Sequence, residues 1–267
     1  MTSPTWDPHQ YERFAVERAR PFHDLVGRIP TPAPRQVVDL GCGPGTTTAT
    51  LVDRWPGGHV LGLDSSPAML ARAQRLAEPG RLEFRSGDIA RWQPTQASLD
   101  AIIANASLQW VPNHPDLLPG WVNALRPGGA LAFQMPAAGG ADPGEVFREI
   151  AAAPRWAARL ASVTMCPGPR TASPVRPVDE YVDRLARLDT TVDAWETTYH
   201  HVLAGPDAVL EWSSGTGLRP YLDALSGDEA ALNEFRAAVA VRLRETYPPR
   251  PYGTVLPFHR IFVVASR

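Results

Sequence analysis

The sequence predicts an α/β protein whose core is a doubly wound, mostly parallel sheet. Between Val37 and about Met135, short apolar runs alternate with segments of helical period. Strands separated by helices of that length require right-handed βαβ crossovers with both sheet faces covered. The first apolar run, "VVDLGCGPGTTT" at 37–48, ends in an acid and spills into three glycines before a helix. That is the form of a ligand-binding loop beyond the carboxyl end of a strand.

Strands are expected at 36–40, 59–63, 81–85, 99–104 and 129–135, with helices near 45–54, 67–77 and 114–125 between them. Ahead of this core, "DPHQYERFAVERARPFHDLVGRI" reads as two short helices broken at Pro21, whose ring removes a helix donor and crowds the preceding turn. After it, "ADPGEVFREIAAA" opens with Asp142, Pro143 and Glu145, the order of an N-cap, a first-turn proline and a capping-box acid. A proline-rich stretch, "CPGPRTASPVRPV", separates that helix from "DEYVDRLARL". The segment "TTVDAWETTYHHVL" is rich in β-branched and aromatic residues and reads as a strand. Helical stretches near 206–225 and 228–247 follow, and "FHRIFVVAS" is a last strand. The expected organisation is one domain, 1–267: a helical lid at 1–30, a binding core at 31–136, a helical cap at about 140–190 and 206–247 over one end of the sheet, and closing strands at 191–203 and 258–266.

Composition narrows the function classes. With 44% hydrophobic and 20% charged residues in 267, the chain can bury a full core. A net charge of -2 gives no general field for nucleic acid or an anionic membrane. All 26 basic residues are arginine, so Schiff-base and P-loop lysines are excluded and any anion site must use guanidinium forks, histidine or backbone amides. Cys42 and Cys166 form neither a metal pair nor a disulfide framework, and no metal site is expected. The N-terminal "MTSPTWDPHQYERF" is polar and unlike a secretory signal, and no run reaches membrane-span length. These features together predict a cytoplasmic protein with no obligate protein partner.

Three ligands compete for the glycine loop. No Gly-Lys-Ser/Thr follows it, which rules out a P-loop. A dinucleotide fingerprint needs glycine at position 46, where the β-branched Thr46 stands in the path of a pyrophosphate, so hydride transfer with a nicotinamide is the weaker alternative. S-adenosylmethionine carries no phosphate. Its ribose needs an acid after the second strand, where Asp64 stands in "HVLGLDSSPAML"; its adenine amino group needs an acceptor after the third, where Asp88 stands in "RSGDIARW" beside Ile89. Each acid alone reads equally well as a loop or cap carboxylate.

"VVDLGCGPGTTT", "GLDSSPAML", "GDIARW", "IIANASLQWVPNH" and "LRPGGALAFQMP" together resemble class I S-adenosylmethionine-dependent methyltransferases. "WDPHQYERFAVERARPFHDLV", "WETTYHHVL", "LEWSSGTGLRPYLDAL" and "YPPRPYGTVLPFHRIFVVA" are similar to one branch, the trans-aconitate methyltransferases. The resemblance implies a Rossmann-like sheet of seven strands, the last antiparallel, with the helical insert over the active site. It also implies that Asp39, Gly41, Cys42, Gly43 and Gly45 line the methionine end of the cofactor, that Asp64, Ser65 and Met69 serve its ribose side, and that Asp88 and Ile89 serve its adenine. Asn105 and Ala106 would form the fourth-strand wall, and the N-terminal helices would close over the site through Tyr11, Phe14 and Arg20. Cys42 is then a small wall residue and not a nucleophile.

The reaction implied is methyl-ester formation on a carboxylate of a tricarboxylic acid. A carboxylate is already ionised at neutral pH, so no general base and no obligatory catalytic residue are expected. A trianion on a chain of net charge -2 needs local arginines. Arg219 in "GTGLRPY" and Arg260 in "PFHRIF" are the foremost candidates, with Arg18 and Arg20 behind them. Tyr199, His200 and His259, together with His114 and Tyr247, are polar candidates, and Gln109 and Trp110 are placed to position the methyl acceptor. The same cofactor with a natural-product carboxylate, a phenol or an amine, and a protein that binds it without turnover, remain alternatives.

Overall fold

The computed structural model describes residues 14–137, 142–163 and 174–267. The chain packs as two compact units. The sheet unit comprises Val16–Pro136, Pro174–Thr197 and Arg260–Arg267; the helical unit comprises, of the described residues, 14–15, 137, 142–163 and 198–259.

The sheet has seven strands: β1 Gln36–Leu40, β2 His59–Asp64, β3 Leu82–Ser86, β4 Leu99–Asn105, β5 Leu125–Pro136, β6 Thr191–Leu203 and β7 Thr254–Ser266. Their order is β3-β2-β1-β4-β5-β7-β6. β1 is parallel to β2 on one side, with Val38 opposite Leu61, and to β4 on the other, with Val38 opposite Ile102. The chain therefore winds outward through β2 and β3, then reverses across β1 into β4. That reversal opens a crevice beyond the carboxyl ends of β1 and β4. β7 runs antiparallel to β5, as the family resemblance implied, with Phe133 opposite Val263 and Gln134 opposite Phe262.

Central strands are apolar on both faces because helices cover both. Ala101, Ile102, Ile103 and Ala104 of β4 and Leu131, Ala132 and Phe133 of β5 are fully buried. Each large side chain among them contributes about 1.5–3 kcal/mol of hydrophobic stabilisation. The covering helices are α1 Ala15–Gly27, α2 Thr46–Arg54, α3 Pro67–Ala73, α4 His114–Ala124 and α7 Val178–Ala186.

Pro21 does not break the N-terminal helix, contrary to the sequence expectation: α1 runs through it. Interior proline costs about 3 kcal/mol, but Phe22, Leu25 and Val26 are buried on one face of α1 and hold the turn in place. β5 begins at Leu125, four residues earlier than expected, because Leu125 pairs with Leu99 before the register shifts between Leu99 and Ala101. The Pro-Gly-Gly stretch at 127–129 is an irregularity within the strand. β7 likewise starts at Thr254 instead of 258.

The helical unit holds α5 Pro143–Ala151, α6 Pro154–Leu160, α8 Ala208–Ser214, α9 Arg219–Leu225 and α10 Glu229–Thr246. Asp142 caps α5 as expected, accepting from Gly144 N at 2.9 Å, and Asp228 caps α10 through Ala231 N at 3.0 Å. Phe147, Trp156, Tyr221, Phe235 and Leu243 form its core, with the Trp156 and Phe235 rings edge-on at 5.4 Å. The cap residues at 164–173, Cys166 among them, and Tyr11 of the expected lid lie outside the described residues.

Candidate active site

The cofactor residues expected from Asp39 to Ala106, and Arg20, fall in the sheet unit, whereas Phe14 falls in the helical unit and Tyr11 lies outside the described residues. Gly41 follows β1 with φ +78, and a Cβ there would lie 2.4 Å from Cβ of Ser107, so only glycine fits between the ends of β1 and β4. Ser107 closes the same junction by donating to Leu40 O at 2.6 Å. The loop then folds toward β2: Gly41 N and Cys42 N both donate to Leu63 O, at 2.7 and 3.0 Å. Gly43, at φ +57, has open space on the side where a Cβ would stand. Ile89 reaches the same loop, since a Cβ on Gly41 would meet its Cδ1 at 3.4 Å.

Asp64, at the end of β2, ties this loop down. Its Oδ2 accepts from Gly43 N and its Oδ1 from Ser66 N, both at 2.8 Å. Each carboxylate oxygen has a second lone pair, so both can still accept from vicinal hydroxyls. Ser65 beside it is exposed, and Met69 is buried on α3. Asp88 accepts from Ala90 N at 2.9 Å as the cap of a 3₁₀ turn at Ile89–Arg91, which leaves Oδ2 within 3.7 Å of Arg91 Nε and open to a ligand donor.

Asp39 is buried beneath the loop. Thr48, on the first turn of α2, donates to its Oδ2 at 2.5 Å, while Oδ1 has no hydrogen-bond partner. Burial pushes the carboxyl up to about 7; the Thr48 hydrogen bond opposes this and the Asp64 charge adds to it. An acid with an unused oxygen under a glycine loop is a natural counter-charge for a cationic ligand. Burial, with the nearby Asp39 and Asp64, pushes the Cys42 thiol up as well. It stays protonated and is no nucleophile in this form. Thr48 and Ser107 were missed in the sequence, where nothing marks a lone hydroxyl as the partner of a buried acid or of a strand end.

At the end of β4, Asn105 accepts from Gln134 Nε2 at 2.5 Å. Ala106 takes the left-handed φ of +52 and donates its N–H to Gln134 O at 3.0 Å. A non-glycine residue at such a φ is uncommon and is held by its surroundings, here the bond to Gln134 O. Gln109 is buried and donates to Ala106 O at 2.7 Å, and Trp110 follows half-buried. Arg20 is exposed on α1.

The expected substrate residues divide between the units. Arg260 belongs to the sheet unit, 5% exposed, and donates to Gln134 Oε1 at 2.7 Å. In the helical unit, Arg219 lies 2.8 Å from Asp223 on α9, Tyr199 is buried and stacked on His201, His200 is exposed, and His259 Nδ1 lies 3.1 Å from Thr198 Oγ1. His114 is buried in a structural contact with Tyr181, and Tyr247 is buried near the end of α10. No cluster of metal-ligating side chains occurs among the described residues.

A family model described as a methyltransferase domain matches residues 37–129, from β1 into β5. The strand order, the glycine loop and the acid after β2 define an S-adenosylmethionine-dependent methyltransferase. Relatives resolve it further. The trans-aconitate 2-methyltransferase of Streptomyces coelicolor is 48% identical over 272 residues, covering 100% of this chain and 88% of that protein. That of Streptomyces avermitilis is 46% identical, with 99% and 97% covered. The chain belongs to the trans-aconitate 2-methyltransferase family. Among solved structures, geranyl diphosphate C-methyltransferase from Streptomyces coelicolor, complexed with Mg2+, geranyl diphosphate and S-adenosyl-L-homocysteine, has a TM-score of 0.52 at 17% identity over 96% of this chain and 80% of that one. This likeness is one of fold alone. No described helix is long and apolar enough to cross a membrane.

Proposed function

We propose that this chain transfers the methyl group of S-adenosylmethionine to a carboxylate of trans-aconitate, giving a mono-methyl ester. The observation that carries the proposal is 48% identity to a trans-aconitate 2-methyltransferase across the whole chain, cap segments included. The residues present fit the cofactor: Asp39 offers an unused buried oxygen to a cation, and Gly43 leaves room beside it. Asp64 is the partner for the ribose hydroxyls, with Ser65 and Met69 beside it; Asp88 and Ile89 are the partners for adenine; Gly41, Cys42 and Gly45 give the loop its shape. Tyr11 and Arg20 belong to the proposed closure.

When bound, the cofactor supplies an electrophilic methyl on a sulfonium. The protein contributes orientation and exclusion of water. Because the acceptor is already a carboxylate, no proton has to be removed, and the chemistry asks for no general base. Arg219, Tyr199, His200 and His259 are proposed to meet the substrate's carboxylates, with a guanidinium favoured for its paired donors. A cytoplasmic setting belongs to the same proposal, supported by the metabolite nature of the acceptor.

Incubation with S-adenosylmethionine and a panel of organic acids, read by mass spectrometry, tests this. A single methyl added to trans-aconitate is the expected result. Methylation of phenols or amines alone would reject the acceptor and keep the enzyme class.

A further inference from the structure

Gln134 stands in the apolar run "ALAFQMP" of β5 and is fully buried. A buried amide requires partners on both of its ends, and the register supplies them. Asn105 lies directly opposite Gln134 in the β4–β5 pairing. Arg260 lies opposite Pro136, two residues further and hence on the same face of β5. Arg260 Nη1 donates to Gln134 Oε1 at 2.7 Å, and Gln134 Nε2 donates to Asn105 Oδ1 at 2.5 Å.

The direction of this relay is forced from one end. A guanidinium has donors only and keeps its charge at every working pH. Gln134 must therefore turn its oxygen to Arg260 and its NH2 to Asn105. Asn105 must accept through Oδ1, which leaves its own NH2 as the outward end of the chain. Asn105 is half-buried at the carboxyl end of β4, followed by the left-handed Ala106 and by Ser107, which packs on Gly41. An amide that could otherwise present either face is thus held as a donor beside the glycine loop.

We infer that Arg260 is a positioning residue: through Gln134 it fixes the polarity of Asn105, whose NH2 then donates to a carboxylate oxygen bound at the β1–β4 crevice. In naming that carboxylate the inference rests on the proposed function. Two sources share the chemistry, the methionine moiety of the cofactor and the acid being methylated. The role differs from a direct arginine clamp, because Arg260 needs no contact with the substrate.

Asn105→Asp separates the possibilities. The aspartate can still accept from Gln134, so the relay and the fold persist, but its outward atom becomes an oxygen that repels a carboxylate. The dissociation constant for S-adenosylmethionine, by calorimetry, and KM and kcat for trans-aconitate are measured for the wild type, Asn105→Asp, Arg260→Met, Arg260→Lys and the double variant Asn105→Asp/Arg260→Met. A loss of roughly tenfold to a hundredfold, the size of a charge-assisted hydrogen bond, is expected in one constant only. The cofactor's constant identifies the methionine carboxylate, and KM identifies the substrate. Arg260→Met is expected to weaken the same constant by a smaller factor, Arg260→Lys to recover most of that loss, and the double variant to be no worse than Asn105→Asp. Unchanged constants in Asn105→Asp, or losses that multiply in the double variant, would overturn the relay. If the wild type methylates no carboxylic acid, the acceptor reading fails on its own, and the cofactor titrations still decide the relay.

Discussion

Asp39 and Asp64 end neighbouring strands, yet their surroundings give them different work. Asp64 has both oxygens on backbone N–H groups and lone pairs to spare; Asp39 has one oxygen capped by Thr48 and one unused. The folded-state carboxyl of Asp39 is raised from 3.8 to about 7. It therefore contributes stability below pH 3.8, and that contribution is lost progressively as pH rises toward and through about 7. Asp39→Asn should accordingly raise Tm more at pH 8 than at pH 4, and a uniform shift would argue against a protonated Asp39. A cation bound above the loop favours the ionised form, so binding at pH 7 should release about half a proton from an acid titrating near 7. Calorimetry in buffers of different ionisation heat reads that release, and Asp39→Asn should abolish it. Neither Thr48 nor Gln134 was legible beforehand. The sequence shows a threonine among three and a glutamine among apolar residues, and their meaning comes only from the acid or amide placed next to them by the sheet.

Among elements, α7 meets α4 through a hydrogen-bonded chain, beside the stacked His114 and Tyr181 rings and the Arg184–Asp116 pair. Arg176 N donates to Tyr181 Oη at 3.0 Å; Tyr181 Oη lies 2.7 Å from His114 Nε2; His114 Nδ1 lies 2.8 Å from Val111 O. The ring therefore donates through Nδ1 to the carbonyl and accepts the tyrosine proton on Nε2. Burial lowers His114 from 6.5 to about 4. Its contribution is present above pH 6.5 and is lost as pH falls through about 4. Tyr181→Phe should cost about 2 kcal/mol by orphaning the buried His114 Nε2 and the part-buried Arg176 N–H, a Tm drop of roughly 4–8 °C, and should flatten the acid limb of the Tm–pH curve if the His114 ring gains access to water. A loss below about 0.5 kcal/mol would mean that the chain adds nothing beyond packing. Elements of strong period, β1 to β4 and α2 to α4, were readable because alternating strand and helix patterns are set by burial alone. Pro21 was misread because local breaker chemistry was weighed without the tertiary contacts that override it, and the early start of β5 was missed because it rests on the Leu125–Leu99 pairing across a register shift.

For the molecule as a whole, the difficulty is charge. The proposed tricarboxylate acceptor has to be held by a chain of net charge -2 whose Lys and Arg are all arginine. Binding then depends on local guanidinium groups against an unfavourable background. KM for trans-aconitate should rise several-fold as ionic strength goes from about 0.05 to about 0.3 M, because screening shortens the reach of those charges. The affinity for S-adenosylmethionine, which carries a net charge of about +1 against about −3 for the tricarboxylate, should change far less. Beneath this lies the claim that the β1–β4 crevice grips a nucleoside through the acid after β2. Titration of S-adenosylmethionine into the wild type and Asp64→Ala is the most direct measurement of it. A dissociation constant weaker by roughly tenfold to a hundredfold in the variant, with far-ultraviolet dichroism unchanged, is the predicted result. Equal affinity in the two proteins would contradict it.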